Sequence, residues 1–329
     1  MPRLKWEKSL ADINFGKPNP EIFSDTLLEL ARNDRDILAV TADTRGSGKL
    51  STFAKELPDQ IFDVGIAEQN LVGISAGLAS AGKKVFAVSQ ACFLTARALE
   101  QVKNDVAYSE NPVKLVGISA GVSYGALGST HHSLHDLAAL LAIHNIDIVV
   151  PADNFETREA IKAAAAHSKP IYIRLGKQKT RPIHSPGDEF EIGKASILSE
   201  GSDVTFVSTG EPTSRAVRAG DLLAKKGISC GVISMHSLRP FDSQALIRAA
   251  QDSRAVITVE EHRVHGGLGS LCASILMQEG MHVGFRIVGI PDAPTVTASQ
   301  EEVFEHYGIS PEGLAGTATE LLNLISKEN

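Results

Sequence analysis

The chain has 329 residues, 43% of them hydrophobic, and a formal net charge of −7. That length is enough to bury a sizeable core and points to two domains, while the mildly acidic balance argues against a nucleic-acid or membrane-surface protein, because both need basic patches. Three scattered cysteines, Cys92, Cys230 and Cys272, lack any C-x-x-C spacing and imply neither a disulfide framework nor a zinc site.

The first residues, 1–8, are charged and lack an apolar core, so they do not read as a signal peptide. No apolar run is long enough to span a bilayer, and the expectation is a soluble, cytoplasmic protein. Short β-rich apolar runs at 37–40, 85–88, 113–118, 146–150 and 171–175 then alternate with helical patterns. One helix is expected over 69–79, with Leu71, Ile74 and Leu78 on one face. Another is expected over 95–108, with Ala98, Val102 and Val106 inward and Arg97, Lys103 and Asn104 outward. A third starts near Asn154 and ends in an alanine run at His167. This alternation predicts βαβ units and a mostly parallel sheet covered on both faces. Residues 176–190, GKQKTRPIHSPGDEF, break the pattern and read as a linker or long crossover. A second series follows, with strands at 204–208, 230–234, 255–259 and near 284–288, and helices at about 212–226, 243–250, 268–278 and 311–326. The expected architecture is α/β: two consecutive three-layer α/β/α domains, 1–182 and 183–329, without an internal repeat.

In open α/β sheets, ligands collect at the carboxyl ends of the strands. Four loops stand out there. ADTRGSG at 42–48 is either an ordinary turn or a site for Asp43 to face a crevice. DVGIAEQN at 63–70 runs straight into a helix. Its Glu68 is either a carboxylate interacting with the helix dipole or a buried acid bonding a cofactor nitrogen. Gly73 and Gly77 on that helix allow a close backbone approach, within the domain or across a subunit interface. SQACF at 89–93 ends in Phe93, either a core residue or a stacking platform for a heteroaromatic ring. The glycine-rich segment 121–132 ends in the adjacent pair His131 and His132, of which at most one should face a pocket. His132 and His135 are not joined by a carboxylate triad, so no metal site is expected here.

Taken in order, an Asp after the first strand, DVGIAEQN, an aromatic after the next strand, GALGSTHH at 125–132 and VVPAD at 149–153 resemble the C-terminal half of transketolase. That half comprises its pyrimidine-binding domain and its C-terminal domain. The resemblance covers essentially the whole chain, whose length is similar to that of the small subunit of a split, two-gene transketolase. It implies thiamine-diphosphate-dependent transfer of a two-carbon ketol unit from a ketose to an aldose. By the same resemblance Glu68 would bond N1′ of the aminopyrimidine, Phe93 would stack on that ring, and Asp43 would lie near the thiazolium. His131 would act at the reacting end of the substrate, and Ser47 would lie near its far end. The family binds the diphosphate and its Mg²⁺ (or Ca²⁺) through a Gly-Asp-Gly motif in a separate domain, and that motif is missing here. A diphosphate-binding partner subunit is therefore implied, most simply in an α2β2 heterotetramer with a homodimeric core.

Several positions depart from the family. Gln90 stands where a second phenylalanine flanks the cofactor, Ser119 where a histidine is usual, and Leu127 where an acid bonds a substrate hydroxyl. Lys177 replaces a phosphate-gripping arginine, and another arginine position falls near Pro20. A site that loses a polar partner stops selecting for that hydroxyl, and Lys is a point charge rather than a fork. These departures imply a non-standard sugar: branched, deoxy, sulfonated or less phosphorylated. VEEH at 259–262 and GGLG at 266–269 also resemble the family; His262, His265 and these glycines are assigned to packing and an interface remote from catalysis. The rival readings are the β subunit of a 2-oxoacid dehydrogenase, a 1-deoxyxylulose-phosphate synthase, and a non-catalytic regulatory or scaffold subunit.

Overall fold

The computed structural model describes residues 15–185 and 187–328. Residues 1–8, where no signal peptide is expected, lie outside the described residues. The first half of the chain contains α1 (Asn19–Ala31), β1 (Ile37–Thr41), α2 (Ser51–Glu56), β2 (Ile61–Asp63), α3 (Glu68–Ser80) and β3 (Lys84–Gln90). It continues with α4 (Ala91–Ala96), α5 (Leu99–Gln101), β4 (Lys114–Ile118), α6 (Asp136–Leu141), β5 (Asp147–Val149), α7 (Asn154–Ala166) and β6 (Ile171–Arg174). The second half contains β7 (Ser196–Ser199), β8 (Val204–Ser208), α8 (Thr213–Ala224), β9 (Cys230–Ser234), β10 (Ser237–Arg239) and α9 (Ser243–Asp252). It ends with β11 (Ala255–Arg263), α10 (Leu268–Gln278), β12 (Gly284–Ile290), α11 (Gln300–His306) and α12 (Pro311–Glu328).

The strands form a seven-stranded sheet of order β10-β5-β6-β4-β3-β1-β2 and a five-stranded sheet of order β12-β11-β8-β9-β7. All pairings are parallel except β10 on β5 and β7 on β9, both at sheet edges. Every residue of β1, β4 and β6 is buried, as a sheet covered on both faces requires. One side of the first sheet packs against α1 and α7, where Phe23, Leu27 and Ile161 meet Phe86 and Val116. On the other side Leu71, Val72, Leu94 and Val102 join a core that runs without a break into Val207, Met235 and Leu246 of the second half. Each such Val, Leu, Ile or Phe contributes about 1.5–3 kcal/mol on burial, so the two halves share their stability.

The structure changes one sequence expectation and adds two contacts that the sequence does not show. The helix expected over 95–108 is broken: α4 ends at Ala96, α5 is short, and a π-helical stretch covers Val102–Tyr108. Ser237–Arg239, beyond residue 183, returns to the first sheet as its edge strand. The segment 176–190 is pinned to the first half of the chain. The Ile183 N–H donates to Asp153 Oδ2 at 2.9 Å, and His184 sits between Asp153 and Glu156 at 3.2 and 3.4 Å. Among the described residues no helix is long and apolar enough to cross a membrane.

Candidate active site

The loops after β1, β2, β3 and β4 meet at one end of the first sheet, because β1 lies between β2 and β3 and β3 pairs with β4. Asp43 is exposed and adopts φ +53°, the left-handed region. Its N–H donates to Asp63 Oδ1 at 3.0 Å, and Gly65 N–H donates to the same oxygen at 3.0 Å. Burial pushes the Asp63 carboxyl up, but these two donors together with Thr41 and Arg45 hold it below the usual range. Asp63 thus ties the β1 loop to the β2 loop. The Thr44 hydroxyl donates to Val88 O at 2.8 Å and ties the same loop to β3, while the Ser47 hydroxyl donates to Thr44 O at 3.2 Å.

Glu68 opens α3 and is only 4% exposed. Both of its carboxylate oxygens accept from Arg97 Nη1, at 3.1 and 3.2 Å. The Arg97 side chain is 49% exposed, yet its guanidinium lies 4.1 Å from the centroid of the Phe93 ring. Arg97 points outward, as expected, but its guanidinium is held by Glu68 and Phe93. Arg97 follows Phe93 by four positions on one helical ridge, and that spacing is the signal available in the sequence. Phe93 in turn meets the His131 ring edge-on at 5.3 Å. His131 meets Tyr124 at 5.7 Å, and Lys177 Nζ lies 4.2 Å from the Tyr124 ring. Glu68, Arg97, Phe93, His131, Tyr124 and Lys177 therefore form one unbroken row. Sequence reasoning misses Tyr124 and Asp63, since a tyrosine in a glycine-rich loop carries no pattern of its own.

The two adjacent histidines go opposite ways. The Thr130 hydroxyl lies 3.0 Å from His131 Nδ1, whereas the buried His132 donates Nε2–H to Gly125 O at 3.1 Å. Gln90 caps α4 at the end of β3 and is half-buried. Ser119 is buried with φ +54°, and Leu127 is 54% exposed. Among the described residues no group of three or more His, Cys, Asp or Glu could hold a metal ion.

The C-terminal half is not remote from this site. Glu261 Oε1 accepts from the Val122 N–H and from Gln300 Nε2, both at 2.8 Å. A Cβ on Gly121, which has φ +63°, would run into the Glu261 carboxyl, and one on Gly125 would run into Ala298 O. The glycines of this loop are thus required by the second half packing on it. Arg174 adds donors to Asp136 Oδ2 at 2.7 Å, Ser133 O at 3.0 Å and Glu261 O at 2.9 Å, anchoring the far end of the loop. In the GGLG turn, Glu260 takes the Leu268 and Gly269 N–H groups at 2.8 Å each, so this helix start serves packing.

The family model described as transketolase, pyrimidine binding domain, matches residues 18–182, and that described as transketolase, C-terminal domain, matches residues 193–314. The chain belongs to the transketolase family. It is 49% identical over 301 residues to one subunit of the apulose-4-phosphate transketolase of Phocaeicola vulgatus, covering 91% of this chain and 96% of that one. It is 36% identical to a 6-deoxy-6-sulfo-D-fructose transketolase subunit of a Clostridium species, covering 92% of this chain and 93% of that one. A solved split-gene transketolase, in an inactive beta4 tetramer, superimposes with a TM-score of 0.84 at 36% identity, covering 94% of this chain and 99% of that one. The protein is therefore a transketolase subunit, a transferase component of a split two-subunit enzyme. The dehydrogenase and scaffold readings are not favoured. Transketolases depend on thiamine diphosphate, and the row fits its aminopyrimidine. A flat, protonatable ring needs an aromatic face and a buried carboxylate beside it, and Arg97 lays a flat cation against both.

Proposed function

We propose that this subunit supplies the pyrimidine side of a transketolase active site and transfers a two-carbon unit from a non-standard ketose to an aldose. The observation that carries the reading is the unbroken row from buried Glu68 through Phe93 and His131 to Lys177. Thiamine diphosphate, when bound, supplies the carbon nucleophile for breaking and remaking the bond beside the ketose carbonyl. Glu68 would hold N1′ of the pyrimidine through a hydrogen bond and share a proton with it. Phe93 and Gln90 would flank that ring, with Phe93 presenting the face that Arg97 now covers, and Asp43 would lie on the thiazolium side. His131 keeps Nε2 to exchange a proton with a substrate hydroxyl while Thr130 engages Nδ1.

Ser47, Ser119, Leu127 and Lys177 contact the sugar. Leu127 removes an acidic partner, so a hydroxyl is no longer selected there. Lys177 meets the anionic end as a point charge. The two relatives are named for a sugar phosphate and for a sulfonated deoxy sugar, which supports a branched, deoxy or sulfonated donor. The diphosphate and its Mg²⁺ or Ca²⁺ belong to the partner subunit, in an α2β2 assembly with a homodimeric core. The division near residue 183 into pyrimidine-binding and C-terminal units belongs to the same reading. A Cβ on Gly73 or Gly77 would meet nothing within 4 Å in this chain, which supports α3 as the subunit contact. The test is a ketol-transfer assay with the partner, thiamine diphosphate and Mg²⁺ over a panel of phosphorylated, branched and sulfonated sugars. Transfer only with both chains present supports the reading. No transfer from any sugar refutes it, and acyl release from a 2-oxoacid would move the chain to the dehydrogenases.

A further inference from the structure

Beyond Lys177, a cavity of about 650 Å³ opens between the segment 177–181 and the C-terminal half. Its volume falls within the roughly 300–1,000 Å³ of small-molecule sites. Lys177, Lys179 and Arg181 line one wall, and Arg215 and Arg218 at the start of α8 line the other. Among the described residues, two carboxyls, Glu211 and Glu301, share the lining. Glu301 pairs with Arg215, whose guanidinium also lies 4.7 Å from the Phe304 ring centroid. Arg215, Arg218 and Arg181 together hold the Glu301 carboxyl below the usual range, the hydrogen bond from Arg215 contributing most. Arg181 is itself lowered from the usual guanidinium value, first by burial and then by Arg218 and Arg215.

Glu211 does not offset these cations. Burial, and then its neighbour Glu261, pushes its carboxyl up to about 8, so it is largely neutral at pH 7. Gln300 donates to its Oε2 at 3.2 Å, and its Oε1 is out of reach of water and without a partner. No hydrogen bond or ion pair holds Arg218 among the described residues. Among the described residues, the lining therefore carries more cations than ionised carboxylates, with a neutral carboxyl on its wall. Like charges crowded in a concave, partly dry site raise its potential for anions, and a bound anion relieves that repulsion. A guanidinium fork suits a phosphate or sulfonate group.

We propose that this cavity is an anion site in which Arg215 and Arg218 of the C-terminal half grip the phosphate or sulfonate group of a small organic molecule, with Lys177 and Lys179 on the facing wall. The group is either the distal end of the sugar, entering past Lys177, or part of a separate effector.

The test needs neither the partner nor thiamine, so its failure is distinct from failure of the transketolase reading. Inorganic phosphate is titrated into the full chain at constant ionic strength and followed by calorimetry. Saturable one-site binding is expected, weakened at least tenfold by Arg218→Gln and tightened severalfold by Glu301→Gln, with Arg218→Lys in between. Urea unfolding without phosphate confirms that each variant is folded. Absence of saturable binding, or equal binding by the wild type and all three variants, overturns the proposal. In the reconstituted enzyme, a higher KM under Arg218→Gln for a phosphorylated ketose but not for an unphosphorylated one assigns the site to the substrate. An unchanged KM alongside weakened phosphate binding assigns it to an effector. Both results support the anion site.

Discussion

Glu68→Gln separates the structural role of the carboxylate from its chemical one. The substitution keeps shape and burial but removes the charge and one acceptor oxygen. Arg97 loses one of its two contacts, at 3.1 and 3.2 Å, and the remaining one is no longer charge-assisted. Such a bond contributes about 1.5–3 kcal/mol when sheltered. Because the Arg97 side chain is 49% exposed, solvent screening reduces the loss to about 1 kcal/mol. The stacking of Arg97 on Phe93 survives, since it does not depend on Glu68. Loss of a positioned proton-sharing group costs about 10²–10⁴-fold in rate. Urea unfolding of the free subunit should therefore show a small shift, while ketol transfer by the complex with its partner falls at least a hundredfold. Activity within threefold of wild type would refute the role given to Glu68, and a loss of stability as severe as the loss of activity would refute the separation of the two.

Arg97→Ala should tighten thiamine diphosphate binding to the complex with its partner by a few fold, because a cation–π contact of about 0.5–1 kcal/mol no longer competes for Phe93; unchanged or weaker binding by calorimetry would count against that competition. Gly121→Ala should cost about 1–3 kcal/mol in urea unfolding, from the φ +63° backbone and the clash with Glu261. Gly77→Arg should break the homodimeric core, with sedimentation showing smaller species, because the position faces open space in this chain. Stability should fall as pH rises from 6.5 to 8. Burial pushes Glu211 and Glu261 up to about 8 and about 7, so the folded form holds protons that the unfolded chain releases near pH 4.5. Their contribution is complete below that value and is lost as pH rises through the folded values. His236 and His262, pushed down to about 4 by burial, oppose this only below pH 6.5. A urea midpoint that rises between pH 6.5 and 8 would contradict this, and Glu211→Gln should flatten the slope.

Much of the fold was legible because burial on both sheet faces leaves continuous apolar runs, as at β8 and β9, where expectation and structure coincide at residues 204–208 and 230–234. Some short elements were not legible. The three-residue strands β2 and β10 have too few side chains to show a period and form only because a neighbouring strand offers its edge. The helix expected over 95–108 has suitable spacing of Ala98, Val102 and Val106, yet it breaks, because periodicity does not register a local change of hydrogen-bond partner.

By itself the sequence determined the alternation of strands and helices, the order of the loop motifs and the absence of a Gly-Asp-Gly motif, and these sufficed for the family. All are local properties, written in neighbouring residues. Tertiary structure decided which loops meet. It set Arg97 on both Glu68 and Phe93, turned His131 toward Phe93 and His132 toward Gly125, and packed Glu261 of the second half against Gly121 of the first. Those contacts depend on strand order and on the shared core of the two halves, and no spacing along the chain encodes a distance across it.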